Sequence, residues 1–224
     1  MLDRKKKYLQ LALNSTLSDA RDIIDDLPVS DRILIEAGTP LIKQYGMRAV
    51  SELLDRWQYK TYSEGIHPYI VADVKTMDRG ATEVVMAKEA GASAVISLGQ
   101  APLETINSFI QACEKHQLDS MVDMMNVDQP IKVLRRLRKM PTVVVLHRGV
   151  DEETYNRNKP IPYIQINKVR ASYNVRIAIA GGDTIREVQR AIFNDADIVV
   201  VWKDFYQATG ETGRLAQDFL REIK

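Results

Sequence analysis

Tyr69-Ile70-Val71-Ala72-Asp73-Val74-Lys75-Thr76-Met77-Asp78 decides how the rest of the chain is read. It opens apolar, as a buried strand does, and then sets down an acid, a base and a second acid. Side chains two apart on a strand share a face, so Asp73 and Lys75 are expected to point the same way. Asp78 follows where the chain turns toward a helix. Buried charges this close are costly unless they pair with one another or bind something. Two readings stay open from the spacing alone: a working site, or a buried structural salt bridge.

Outward from this stretch, short apolar runs recur. Strands are expected at 9–13, 33–37, 69–74, 94–98, 120–124, 142–146, 176–180 and 197–201. Between them lie segments with apolar residues at three- and four-residue spacing: 41–57, 80–90, 103–116, 131–139 and 184–193, with 210–223 closing the chain. Alternation of strand and helix implies a parallel sheet. Eight such units in 224 residues point to an α/β fold of the (β/α)8 TIM-barrel type, with a doubly wound open sheet as the alternative. No linker composition interrupts the chain, so 1–224 reads as one barrel domain.

A net charge of +1 supplies no field to attract nucleic acid or an anionic membrane. The one cysteine, Cys113, excludes an internal disulfide or a Cys-rich metal site. It is consistent with a cytoplasmic protein. No run approaches the roughly 18 apolar residues of a membrane span. The basic start, Met1 to Lys7, reads as a solvated leader.

Barrel enzymes work at the C-terminal ends of their strands. Those ends carry Asn14, Glu36, Asp73 with Lys75 and Asp78, Gln100, Asp123 with Asn126, His147-Arg148, Gly181-Gly182-Asp183, and Trp202-Lys203. Polar groups collected at one end of apolar strands indicate a site. Glu36 and Asp73, on neighbouring strands, can hold a hard divalent cation, Mg2+ or Mn2+. Lys75 beside them adds a fixed positive charge, suited to an enediolate. His147 titrates near neutrality and can move a proton. Gly181-Gly182 before a helix can admit a phosphate, or can be a plain tight turn. His67, His116 and Cys113 read as structural. Met77, Met121, Met124 and Met125 read as core or pocket lining.

Glu36-Ala37-Gly38-Thr39-Pro40-Leu41-Ile42-Lys43, Gly46-Met47-Arg48-Ala49-Val50 and Ala72-Asp73-Val74-Lys75-Thr76-Met77-Asp78 resemble the 3-hexulose-6-phosphate synthase family. That family belongs to the orotidine monophosphate decarboxylase superfamily, beside 3-keto-L-gulonate-6-phosphate decarboxylase. Val122 to Val127, His147 to Asp151 and Ala178 to Gly182 extend the likeness, which runs from about Leu9 to the C-terminus. It resembles the archaeal form, often fused to a formaldehyde-activating domain, and no such partner is read here.

The resemblance implies a homodimer of barrels with sites at the shared interface. Glu36 and Asp73 would be metal ligands and Lys75 would support an enediolate. Asp78 would reach into the partner's site, and His147 would handle the proton. Gly181 and Gly182 would hold the phosphate, with Asn14, Asp123, Arg148 and Lys203 as further substrate or phosphate contacts. The reaction would join formaldehyde to ribulose 5-phosphate, reversibly. Three places depart from the family pattern. Asn14 stands where the first strand usually ends in Asp. Trp202-Lys203 stands where a Gly-Gly or Gly-Arg pair completes the phosphate cup. Glu152-Glu153-Thr154-Tyr155-Asn156 replaces a Gln-x-x-Gly run. Two alternatives follow: a related lyase or decarboxylase acting on another sugar acid or sugar phosphate, and a non-catalytic barrel kept for binding.

Overall fold

A computed structural model describes residues 1–156, 158–182, 184–203, 205 and 210–223. Eight strands close into a barrel in sequence order: β1 (Tyr8–Leu13), β2 (Ile33–Ala37), β3 (Ile70–Thr76), β4 (Ala94–Leu98), β5 (Asp119–Asp123), β6 (Val143–His147), β7 (Arg176–Ala180) and β8 (Ile198–Val201). Every neighbouring pair is parallel, and β8 returns to β1. This is the (β/α)8 barrel, not the open sheet. β-branched runs such as Val143-Val144-Val145 suit strands buried on both faces.

The helices whose bounds fall among the described residues are α1 (Leu17–Asp26), α2 (Thr39–Tyr45), α3 (Arg48–Thr61), α4 (Gly80–Glu89), α5 (Leu103–Lys115), α6 (Pro130–Leu134), α7 (Val150–Tyr155), α8 (Tyr163–Ser172), α9 (Ile185–Phe193) and α10 (Thr212–Glu222). The single helix expected over 41–57 is two, because Gly46 at φ +66° takes a left-handed conformation that ends α2. α1, α7 and α8 are additions to the expected helices. α1 starts at a capping box in which Thr16 and Asp19 satisfy each other's backbone N–H groups. α6 stops at Leu134, short of the expected 139.

Alternate strand residues face two cores. One, between strands and helices, is anchored by Trp57, Phe109 and Phe219. Truncating one of these to alanine should cost about 3–5 kcal/mol. The other fills the barrel and includes Ala12, Leu34, Val71, Met121, Val145, Ala178 and Val200. Followed along each strand, this inner parity reaches Asn14, Glu36, Asp73, Asp123 and His147 at one end. At the other end it reaches Tyr8, Asp119 and Arg176.

The opening residues are not a solvated leader throughout. The Leu2 N–H donates to Asp119 Oδ2 at 3.1 Å, and the Asp3 N–H donates to the Tyr8 hydroxyl at 2.8 Å. Buried polar groups inside the barrel need partners, and the backbone of this segment supplies them.

Candidate active site

Strand β3 builds the centre of the site by breaking its own regularity. Its pairing with β4 runs Ala72↔Val95 and then Thr76↔Ser97, so the chain advances further along β3 than along β4 between the two pairs. Lys75 lies inside this bulge at φ +47°, a conformation non-glycine residues rarely adopt. Bulges re-aim side chains, and such strain persists only where the surroundings impose it. The expected company of Asp73 and Lys75 holds, through this bulge rather than through plain alternation.

Lys75 Nζ lies 3.0 Å from Asp73 Oδ2 and 3.0 Å from Asp123 Oδ2. Asp123 Oδ2 also meets His147 Nδ1 at 2.8 Å, while its Oδ1 accepts the Met125 N–H at 2.9 Å. Asp123 is therefore a hub that joins the lysine, the histidine and the backbone of the following loop. Burial opposes its charge, but His147 and Lys75 outweigh that and hold it well below the usual carboxylate range. Burial likewise works against charge on His147 and Lys75; Asp123 reverses this for His147, and Asp73 with Asp123 reverses it for Lys75, so both are raised. With Asp123 ionised, His147 Nδ1 donates to it, which leaves Nε2 to exchange a proton.

Glu36, beside Ala12 across β1 and β2, is buried and pushed up to about 7, first by burial and then by the Asp73 charge. Gln10 Nε2 donates to Glu36 Oε2. Thr39 Oγ1 sits 2.9 Å from Asp73 Oδ2 and 2.9 Å from the Asp73 carbonyl. Gln10 and Thr39 are site residues that the sequence reading misses. The signal for Gln10 is a polar residue on the inner parity of β1, on the same face as Asn14. Asp73 Oδ1 is buried without a hydrogen-bond partner in the described structure. An orphaned carboxylate oxygen beside a second carboxylate fits a divalent cation. Among the described residues no three His, Cys, Asp or Glu gather as a ligand set. Glu36 and Asp73 are the two carboxylates that could hold such an ion, with water and substrate oxygens completing its shell.

The proposed phosphate end is arranged differently. Gly181 takes φ +101°, and a Cβ there would stand 2.3 Å from the Arg148 carbonyl. Arg148 Nη2 donates to the Gly181 carbonyl at 2.7 Å, with Glu153 at 3.7 Å and Glu187 at 3.9 Å. Lys203 Nζ lies 3.9 Å from Glu153. Glu187 Oε2 accepts the Thr184 N–H at 3.1 Å, closing the α9 N-terminus. Trp202 is half-buried and packs on the inner core. Asn14 donates to the Ala12 carbonyl at 3.3 Å, and its Oδ1 occupies the space a Cβ on Gly38 would need. Asp78 is exposed on the rim, outside the Lys75 network. Asn126 lies beyond β5, at φ +55°. Asp183 and Asp204 lie outside the described residues.

The chain matches the family described as orotidine 5'-phosphate decarboxylase / HUMPS over residues 7–214. It is 37% identical over 222 residues to the bifunctional enzyme Fae/Hps of Methanosphaera stadtmanae, covering 96% of this chain and 52% of that protein. The Fae/Hps of Methanocaldococcus jannaschii is 36% identical over 217 residues, with 96% and 52% covered. The chain thus spans about half the length of the curated relatives it matches. Among solved structures, 3-hexulose-6-phosphate synthase from Salmonella typhimurium superposes with TM-score 0.80 at 29% identity, over 96% of this chain and 99% of that one. KGPDC from Streptococcus mutans, at TM-score 0.74 and 19% identity over 97% of each chain, shares the fold. The β3 stretch and the closed barrel thus agree with the match along the chain: the protein belongs to the orotidine 5'-phosphate decarboxylase / HUMPS family.

Proposed function

We propose that the chain is a carbon–carbon lyase of the 3-hexulose-6-phosphate synthase kind, joining formaldehyde to ribulose 5-phosphate reversibly. The observation that carries this is the Lys75 ammonium held 3.0 Å from both Asp73 and Asp123, with His147 on the same Asp123 oxygen. A fixed cation beside a proton-transfer group is what an enediolate requires. In the synthetic direction His147 Nε2 takes the proton from C1 of ribulose 5-phosphate, and the C1–H electron pair moves into the enediolate. Lys75 stabilises the oxygen charge that develops. C1 then attacks the formaldehyde carbon, and the imidazolium returns its proton to the new hydroxymethyl oxygen.

Glu36 and Asp73 would hold Mg2+ or Mn2+, which supplies Lewis-acid stabilisation of that oxygen charge. Backbone at Gly181 and Gly182, with Arg148 and Lys203, would receive the phosphate. In a homodimer the exposed Asp78 would complete the partner's site. One barrel domain working in the cytoplasm suffices for this chemistry.

Formaldehyde loss in the presence of ribulose 5-phosphate and Mg2+ tests the reading. Turnover abolished by Lys75→Met is expected, and absence of turnover in the intact protein overturns it. Trp202 on the inner parity of β8, with Arg148 and Glu187 engaged internally, favours a second reading: a related lyase or decarboxylase acting on another sugar acid or sugar phosphate. Heat stabilisation by such a compound, without formaldehyde consumption, selects it.

A further inference from the structure

A cavity of about 460 Å3 opens at the N-terminal end of the strands, opposite the candidate active site. Its wall includes Arg4, Thr142, Asn174 and Arg176. Arg176, the first residue of β7, is only 6% exposed. Its guanidinium lies 5.8 Å from the centroid of the Tyr8 ring, and Nη2 donates to the Leu2 carbonyl at 3.3 Å. It forms no ion pair with any described residue. An arginine carries five N–H donors, so this buried cation is left with most of its capacity unused. Arg176 lines the cavity, and none of its nitrogens is among the buried atoms left without a partner.

Each of the two carboxylates in the wall has one oxygen engaged with partners other than Arg176. Asp119 Oδ2 accepts from the Leu2 N–H at 3.1 Å and from the Tyr69 hydroxyl at 2.7 Å. Asp197 Oδ2 accepts from Arg170 at 2.7 Å and from the Ile177 N–H at 2.7 Å. Arg170 is further matched by Asp195 at 3.3 Å. Arg4 stands exposed at the rim without an ion pair among the described residues. The wall thus presents one buried and one rim cation facing a polar space of ligand size.

We propose that this cavity is a binding site for a small oxyanion, a phosphate or carboxylate group on a metabolite-sized molecule. Arg176 would bind the group by charge-assisted hydrogen bonds, and Arg4 and Asn174 would close over it. Because Arg176 also holds the Leu2 carbonyl, occupancy would tighten the opening segment against the barrel. The cavity lies at the end of the barrel away from Lys75, Asp123 and His147.

Inorganic phosphate, titrated against chloride at matched ionic strength, is the probe, with amide hydrogen exchange as the readout. Slower exchange in residues 1–8 and 174–177 is expected. Residues 147–150 and 181–182 separately report any phosphate at the catalytic end. Arg176→Met should abolish the N-terminal protection. Arg4→Glu, at an exposed position that keeps the fold testable should the first variant misfold, should weaken it about tenfold or more, as loss of a charge-assisted contact does. Unchanged exchange at the N-terminal end of the intact protein, or protection in Arg4→Glu that develops over the same phosphate concentrations as in the intact protein, overturns the proposal.

Discussion

Strand β5 begins and ends on an aspartate buried inside the barrel. At its C-terminal end Asp123 holds Lys75 and His147, both cationic when protonated. At its N-terminal end Asp119 holds a tyrosine hydroxyl and a main-chain N–H. The two carboxylates are equally buried, at 2% and 1% exposure, so burial does not separate them. Their partners do. Neutral donors satisfy a carboxylate without making it reactive, and they fix the segment that supplies them. Charged, titratable donors raise the desolvation cost but leave a proton and a cation poised for use. The Asp119 contacts fix the opening segment, while the Asp123 contacts leave groups that the proposed function would use for chemistry.

Replacing the cation at the catalytic end should have the largest consequence. Lys75→Met should lower kcat/KM for formaldehyde fixation by about three orders of magnitude, because the charge facing the enediolate is gone. It should also lower stability by about 3 kcal/mol in urea unfolding, since Asp73 and Asp123 lose their shared partner inside the barrel. Comparable turnover in this variant would erase the distinction between the two ends.

Asp123→Asn comes next, with an expected loss of about a hundredfold in kcat. Its sharper readout is the His147 titration, followed by proton NMR. In the intact protein Asp123 raises that titration above the ordinary histidine value against the effect of burial. In the variant burial and the Lys75 charge both act downward, opposed by Asp73 at longer range, so the midpoint should fall below the ordinary value. The sign carries to stability. The raised His147 contributes stability at pH below its unfolded value, and that contribution is lost as pH rises through the folded one. The depressed Asp123 contributes above the ordinary carboxylate range and loses its contribution in acid.

At the structural end the expectation is smaller and of another kind. Tyr69→Phe removes the hydroxyl bonded to Asp119 and should cost about 1–3 kcal/mol of stability with kcat unchanged. A change in kcat as large as that of Asp123→Asn would show that the two ends are coupled.

The subtlest test concerns Glu36. Its carboxyl moves from 4.5 to about 7 in the folded chain, so the folded state holds a proton the unfolded state has lost. Stability from this group therefore declines as pH rises through that window. Mg2+ added near pH 6 should release a proton, followed by pH-stat titration, because carboxylate ligands bind metal ionised. Gln10→Leu removes the amide that favours the ionised form and should move the release to higher pH.

Much of this is legible in the chain. The apolar runs with polar ends point to the barrel and bring Glu36, Asp73, Lys75, Asp123 and His147 to one end of it. Period-two alternation puts all of them on the inner parity, Lys75 together with Asp73. Alternation cannot foresee the β3 bulge through which Lys75 keeps that company, which depends on the register with β4, nor the role of Gln10, whose partner is a strand away. The break at Gly46 is hidden because a long amphipathic pattern outweighs one glycine. The opening segment is misread because its contacts are made by backbone groups, which carry no sequence signature. The internal engagement of Arg148 with the Gly181 carbonyl is hidden for the same reason.

Proton exchange at C1 of ribulose 5-phosphate tests the catalytic end most directly. The sugar phosphate is incubated in D2O with Mg2+ and the protein, without formaldehyde, and followed by proton NMR. Deuterium should enter C1 with the intact protein and not with Lys75→Met or His147→Ala. Formaldehyde fixation proceeding in a protein that leaves C1 unexchanged, or exchange persisting without Lys75 and His147, would contradict the assignment.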